Sequence, residues 1–260
     1  MEPCKPPWSA KGRTQQILEL VRESGFARNS ELSKILGVST VTIRQDIEAL
    51  QKRGLLRKTY GGAAAVASGT TDSAFALRSA HMGEEKRKIG AAAAALVSPG
   101  ETILIDAGST TIEIARNLPE NQDLTVITCA LNVALEAGAK PGIQVILCGG
   151  LLNANTLSVI GHQVEHVLAE VDADRLFLAT YSVDLRRGLA ERNMAGAQVK
   201  RSLIRAAREV VLVCDSTKFG AKASVITAPL GVVQRVVTGS GIPSVFSEHF
   251  RKCGVPVLLV

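Results

Sequence analysis

From residue 102 to the end, the chain alternates between two kinds of segment. Seven short runs rich in Val, Ile and Leu fall at 102–105, 124–127, 144–147, 175–178, 210–213, 235–237 and 256–260. Between most of them lie helical patterns, at 110–118, 131–139, 163–171 and 197–208. A continuous apolar strand has no face to offer water, so it must be covered on both sides. A parallel sheet clad by helices does this, and a half-solvated antiparallel sheet does not. The alternation therefore predicts an α/β domain built on a mostly parallel sheet, whose ligands bind at the carboxyl ends of the strands.

Those ends carry the informative residues. The first run is followed by Asp106-Ala107-Gly108-Ser109-Thr110-Thr111, a small-residue loop that opens a helix. Its N–H groups, the helix dipole and three hydroxyls suit a phosphate, and the competing reading is a capped turn with no ligand. The chain has neither G-x-G-x-x-G nor G-x-x-x-x-G-K-[ST] at this point, so a monophosphate fits better than a nucleotide, and no cofactor is expected. Gly149 and Gly150 end the third run and Asp215 ends the fifth. Lys218, three residues on, either meets an anionic ligand or pairs with Asp215. Thr128 and Asn132 flank the end of the second run. The expected effector site is thus Asp106, Gly108, Ser109, Thr110, Thr111, Gly149, Gly150, Asp215 and Lys218.

The first quarter of the chain has a different character. Residues 1–65 hold 11 Lys or Arg against 6 Asp or Glu, while the remainder holds 19 against 18, so most of the net charge of +6 is local. A basic module ahead of a near-neutral one is the layout of a polyanion binder joined to something else. Three apolar stripes divide it into helices: Ile17, Leu18 and Val21 over 13–24; Leu32, Ile35 and Leu36 after Asn29-Ser30; and Ile43, Ile47 and Leu50 after Ser39 as N-cap. Gly37 breaks the second from the third, as in a helix-turn-helix. Val41, Arg44, Gln45, Glu48 and Lys52 point away from the core stripe of the third helix. Arg reads guanine and Gln reads adenine with paired hydrogen bonds, Val41 offers an apolar contact to a thymine methyl, and Ser39, Thr40 and Thr42 at the helix start suit a phosphate. The competing reading is a solvated face with Ser39 only as cap. Residues 55–62 read as a hairpin wing in which Arg57 and Lys58 reach the DNA backbone, and Tyr60 either packs the wing or lies along that backbone. The expected domains are a winged helix-turn-helix at 1–62, a linker at 63–82 and the α/β domain at 83–260.

No apolar run approaches the roughly 20 residues of a membrane span, so a cytoplasmic protein without membrane contact is expected. Cys4, Cys129, Cys148, Cys214 and Cys253 are scattered and odd in number, which argues against a disulfide framework. His162 and His166 are the only histidines at helical spacing, too few ligands for a metal, and none is expected.

The run Glu31-Leu-Ser-Lys-Ile-Leu-Gly-Val-Ser-Thr-Val-Thr-Ile-Arg-Gln-Asp-Ile, with Tyr60-Gly-Gly-Ala after it, resembles the DeoR family of bacterial transcriptional regulators. Phe75, Arg78, Glu85-Lys86, Ile89, Asp106-Ala-Gly-Ser-Thr-Thr, Gly149-Gly150 and Asp215-Ser-Thr-Lys-Phe219 follow in the family's order. The resemblance implies a repressor of carbohydrate catabolism whose C-terminal domain resembles sugar-phosphate isomerases and senses a sugar phosphate. Asn153 stands where the family usually has Arg, and Met194-Ala195-Gly196 where it tends to be acidic, which makes the implied pocket less charged. The expected partners are an operator in double-stranded DNA, a sugar-phosphate effector and further copies of the chain, as a dimer or tetramer. The rival expectation is a sugar-phosphate isomerase carrying a DNA-binding module, with Asp106, Glu191 or Asp215 as general base.

Overall fold

The computed structural model describes residues 10–24, 26–53, 55–59, 61–65, 75 and 78–260. The chain divides into two units, 1–69 and 70–260.

In the first unit α1 (Ala10–Ser24), β1 (Phe26–Arg28), α2 (Asn29–Leu36), α3 (Thr40–Lys52), β2 (Leu56–Thr59) and β3 (Gly62–Ala65) follow in order. The three helices enclose Ile17, Val21, Leu32, Leu36, Ile43, Ile47 and Leu50, all buried, so the stripes read from the sequence form one core. Ile35 is an exception, 62% exposed. Leu32 and Leu36, one turn apart, fill the inner face of this eight-residue helix, and Ile35 lies a third of a turn off it. Gly37 ends α2 at φ +65°, a left-handed geometry that glycine adopts without a Cβ clash. The Ser33 hydroxyl donates to the Val38 carbonyl at 2.6 Å and fixes the turn. Ser39 then caps α3, accepting from the Thr42 N–H at 3.1 Å.

Strand β1 has no counterpart in the sequence reading. It makes Arg28, not Asn29 or Ser30, the residue flanking α2. β1 and β2 flank β3 in a three-stranded antiparallel sheet. Residues 63–65, expected as the start of a linker, therefore belong to the wing, because their backbone is held by strands on both sides. Of the rest of that linker, residues 66–74, 76 and 77 lie outside the described residues, as does Tyr60.

The second unit contains α4 (Gly83–Ala94), β4 (Thr102–Ile105), α5 (Thr111–Asn117), β5 (Leu124–Thr128), α6 (Leu131–Gly138), β6 (Ile143–Leu147), β7 (Leu151–Asn153), β8 (Ser158–Ile160), α7 (His162–Ala169) and β9 (Ala173–Leu178). It continues with β10 (Ser182–Asp184), β11 (Gly188–Glu191), α8 (Met194–Arg205), β12 (Ala207–Val213), β13 (Val225–Ala228), β14 (Arg235–Thr238), α9 (Ser244–Lys252) and β15 (Val257–Leu259). Seven strands form one sheet in the order β15-β14-β12-β9-β4-β5-β6, every pairing parallel. They are the seven apolar runs of the sequence.

Alternate strand residues feed two cores. Ile103, Ile105, Phe177 and Val211 pack with α4, α5 and α6, while Leu104, Leu176, Leu178 and Leu212 pack with α7, α8 and α9. Each fully buried side chain of this size contributes about 1.5–3 kcal/mol. The sheet order reverses at β4: the chain next builds β5 and β6 on one side, and then β9 and β12 on the other. The loops after β4 and β9 consequently diverge and leave a crevice at the carboxyl edge. Two small antiparallel sheets, β7-β8 and β10-β11-β13, rise beside that edge. Their polar, short segments gave no strand periodicity in the sequence. Among the described residues no helix is long and apolar enough to cross a membrane.

One ion pair holds the first unit together across its core. Arg13 of α1 grips Asp46 of α3 at 2.6 and 3.2 Å, each side chain 11% exposed. The hydrogen bond to Asp46 raises the Arg13 pKa above its ordinary value. Arg13→Ala is expected to cost roughly 2–4 kcal/mol, because Asp46 would remain half-desolvated without a partner. In the full-length protein, amide hydrogen exchange should accelerate through α1 and α3 and stay unchanged across 83–260. Unchanged protection of α1 and α3 would mean that apolar contacts alone hold the bundle.

Candidate functional site

In the first unit α3 presents a continuous outward face. Val41, Arg44, Gln45, Glu48 and Lys52 are all exposed, and Thr40 and Thr42 are half-buried at the helix start. Ser39 caps the helix, and its hydroxyl lies 2.9 Å from that of Thr42. The wing is less free than expected. Lys58 Nζ is ion-paired with Glu48 of α3, and the Lys58 N–H donates to Gln51 at 3.0 Å. The hydrogen bond from Lys58 lowers the Glu48 pKa. Arg57 pairs with Ala64 through its backbone, and its side chain lies outside the described residues.

In the second unit the expected residues divide into two groups. The loop after β4 and the turn after β12 lie on either side of β9, two strand spacings or roughly 10 Å apart. Gly149 and Gly150 follow β6, two strands from β4 on the opposite flank. Gly150 has a backbone reason for its identity: at φ +147° a Cβ would lie 2.6 Å from the Ile160 carbonyl of β8.

Asp106 is buried and uses both oxygens inside the protein. Oδ1 accepts from the Ala107 N–H at 2.7 Å, and Oδ2 from the Ala179 N–H at 3.1 Å and from Lys200 Nζ. These bonds shape the loop. The Thr111 hydroxyl likewise donates back to the Gly108 carbonyl at 3.1 Å. Gly108 is packed against β9, where a Cβ would meet Ala179 Cβ at 3.0 Å. Among the described residues the N–H groups of Gly108, Ser109, Thr110 and Thr111 donate to no acceptor within the protein, and neither do the hydroxyls of Ser109 and Thr110. The loop therefore leaves its backbone donors and two of its three hydroxyls without an acceptor in the protein, the arrangement that suits an anion. Thr128 is structural, its hydroxyl donating to the Ile105 carbonyl at 2.6 Å.

Asp215, fully buried, caps a short 3₁₀ turn through Thr217 and faces two ammonium groups, Lys86 at 3.6 Å and Lys218 at 3.8 Å. Lys86 is itself buried and donates to the carbonyls of Arg78 and His81 at 2.5 and 2.6 Å. Burial pulls the Lys86 pKa down, Asp215 opposes the shift, and Lys218 adds to it. Glu85, the neighbour of Lys86 on α4, accepts from the Ser216 N–H at 2.6 Å and so ties α4 to the same turn.

Between these two groups sits a residue that the sequence reading missed. Lys200 of α8 is buried, bonded to Asp106, 3.5 Å from Glu191 Oε1 and 2.8 Å from the Ala179 carbonyl. Burial works against its charge, but Asp106 and Glu191 outweigh it and raise the pKa. A signal existed: Ala197, Lys200 and Leu203 share one helical stripe, and a lysine on an apolar stripe needs a buried partner. Around it stand Glu191, which accepts from the Tyr181 N–H at 3.1 Å, and Arg192, 4.5 Å above the Tyr181 ring. Asn153 forms a turn with Asn155, and Met194 is 62% exposed. No cluster of three or more His, Cys, Asp or Glu among the described residues is arranged for a metal.

Two family models match this chain, a DeoR-like helix-turn-helix domain over residues 13–69 and a DeoR C terminal sensor domain over residues 81–240. The aga operon transcriptional repressor of Escherichia coli O157:H7 is 34% identical over 251 residues, 95% of this chain and 93% of that protein. The HTH-type transcriptional regulator GolR of Listeria innocua serovar 6a is 33% identical over 94% of this chain and 96% of its own length. Among solved structures, a sor operon regulator from Shigella flexneri is 16% identical at a TM-score of 0.44, covering 61% of this chain and 86% of that one.

Lys200 is the residue on which the crevice depends. Lys200→Met should destabilise the second unit by about 3–5 kcal/mol, because Asp106 is left charged and buried. Adding Asp106→Asn should recover a large part of the loss. Chemical denaturation of the two variants checks this, and equal midpoints for Lys200→Met and the unsubstituted protein would show that the pair carries no stability.

Proposed function

The chain belongs to the DeoR family of transcriptional regulators, and from that premise we propose that it represses a carbohydrate-catabolism operon and leaves its operator when a sugar phosphate binds. The observation that supports this is the pairing in one chain of an α3 face with Val41, Arg44 and Gln45 exposed and a crevice loop whose N–H donors have no acceptor within the protein. Arg44, Gln45 and Val41 read base edges in the major groove, while Ser39, Thr40, Thr42, Arg57 and Lys58 hold phosphates. Gly108, Ser109, Thr110 and Thr111 bind the effector phosphate. Lys218, half-buried at the mouth, meets the rest of the ligand, and Asp106, Gly150 and Asp215 shape the walls.

Binding acts by favouring one arrangement of the two units over another, so that the effector and the operator compete through their different affinities for each. A helix-turn-helix multiplies its specificity by engaging two half-sites, which calls for an even-numbered homo-oligomer. We assign the protein no catalysis. The three carboxylates expected as candidate bases are engaged by buried lysines: Asp106 and Glu191 by Lys200, Asp215 by Lys86. Turnover would require one of them to leave that partner.

Arg44→Ala should weaken operator binding by roughly 1–3 kcal/mol and relax preference at one base pair. Glu48→Gln should act in the opposite direction, releasing Lys58 and removing a negative charge from the DNA face, so that all DNA binds more tightly with a steeper salt dependence. Fluorescence anisotropy against an operator and a scrambled duplex separates the two. Changed base preference in Glu48→Gln with none in Arg44→Ala would reverse the docking.

Ser109→Glu places a fixed negative charge where the phosphate should lie. This variant should fold and bind the operator but no longer release it on addition of a sugar phosphate. Release at an unchanged effector concentration would move the phosphate away from the loop after β4.

A further inference from the structure

Two cations share a single aromatic ring beside the crevice, and a third, Arg78, stands close enough for the charge of one of them to act on it. Arg192 lies 4.5 Å above the centre of the Tyr181 ring and Lys218 5.6 Å from it. Arg78 approaches from the segment before α4, its guanidinium donating to the Asn155 carbonyl at 3.0 Å and lying 5.7 Å from the Phe75 ring. Among the described residues neither Arg78 nor Arg192 forms an ion pair with a carboxylate within 4.0 Å. Lys218 has only Asp215 at 3.8 Å, which it shares with the nearer Lys86. Glu191 is taken by Lys200 and by the Tyr181 N–H.

The position of this patch is fixed by the backbone. β10 pairs with β11 so that Ser182 faces Ala190, which sets Tyr181 opposite Glu191 and Arg192 just beyond it. Glu191 is joined through Lys200 to Asp106, so the patch and the loop after β4 border the same crevice. Like charges held together repel, and burial of Arg78 followed by the charge of Arg192 lowers the Arg78 pKa. Such an arrangement is relieved by an anion, and charge-assisted contacts from guanidinium groups are strong and directional. The loop's N–H groups already account for one phosphate. Of the three, Lys218 follows β12, whose end lies two strand spacings or roughly 10 Å from the end of β4, of the order of a five- or six-carbon sugar with a group at each end.

Resting on the sugar-phosphate reading of the crevice, we propose that Arg192, with Arg78 and Lys218, binds a second anionic group of the effector. The ligand class is then a sugar carrying one phosphate and, at its other end, either a second phosphate or a carboxylate. Arg192 acts as a specificity-determining residue: it separates doubly from singly anionic ligands of the same carbon skeleton.

Calorimetric titration of the full-length protein at fixed ionic strength tests this with matched pairs. Fructose 6-phosphate is compared with fructose 1,6-bisphosphate, and glucose 6-phosphate with 6-phosphogluconate, with the free sugars alongside. The doubly anionic member should bind at least tenfold more tightly in one pair or both, and the pair that shows it identifies phosphate or carboxylate as the second group. Arg192→Ala, at an exposed position, should remove the difference within a pair. Equal affinities in both pairs, or a preference that survives in Arg192→Ala, would overturn the proposal and leave the sugar-phosphate reading intact. Failure of every phosphorylated sugar to bind would overturn both.

Discussion

A buried lysine cannot stay charged without partners, and much of the second unit is arranged to supply them to Lys200. Asp106 comes from the end of β4, Glu191 from the end of β11 and the Ala179 carbonyl from the end of β9. Three loops that the chain builds far apart are therefore tied to one ammonium group on α8. The same carboxylate that satisfies Lys200 also accepts from Ala107 and Ala179, which sets the path of the loop before α5. Where that loop's donors lie follows from this one interaction. Because the penalty for an unpaired buried charge is several kcal/mol, the crevice is held in a single geometry before any ligand arrives.

A second buried pair repeats the device one strand beyond β9. Lys86 and Asp215 hold α4 against the turn after β12, and Glu85 adds a bond from the same helix to Ser216. Both pairs lie at the carboxyl edge, while the opposite ends of the strands carry more exposed pairs such as Arg208 with Asp172. The most deeply buried pairs of this unit among the described residues are thus at the carboxyl edge, with Arg175, Glu101 and Glu209 forming a partly covered cluster at the opposite ends. Charge in the first unit is deployed differently. Among the described residues its well-covered pair, Arg13 with Asp46, faces inward, while on the outer face of α3 Glu48 meets Lys58.

Much of this was legible in residue order. Period and composition suffice for the seven strands and for four of the helices between them, though not for α4 or α9, because a strand buried on both faces is apolar along its length. They suffice for α3 as well, since Ser39 caps it, Ile43, Ile47 and Leu50 face inward, and Arg44 and Gln45 remain outside. Ile35 shows the limit of the method: on an eight-residue helix the stripe is too short to say which of three neighbours the core will leave out. The short strands β1, β7, β8, β10, β11 and β13 were not read, since three or four residues carry no period and, unlike the equally short β4, β14 and β15, they do not recur in alternation with helices.

The sequence by itself determined the class of sheet, the helix-turn-helix, the bias of charge toward the first module and the loops in which a ligand-binding residue should be sought, since each is a local consequence of side-chain period, capping or composition. Only the tertiary structure decided the roles of the residues in those loops. Asp106, read as a ligand contact, is bonded to Lys200, 94 positions away, and Arg192 and Lys218 meet over Tyr181 from two separate segments. Pairing of this kind depends on which strands the sheet places side by side. A parallel sheet whose order reverses at β4 brings together chain ends that no local pattern connects, and the need to satisfy buried charge then selects the partners.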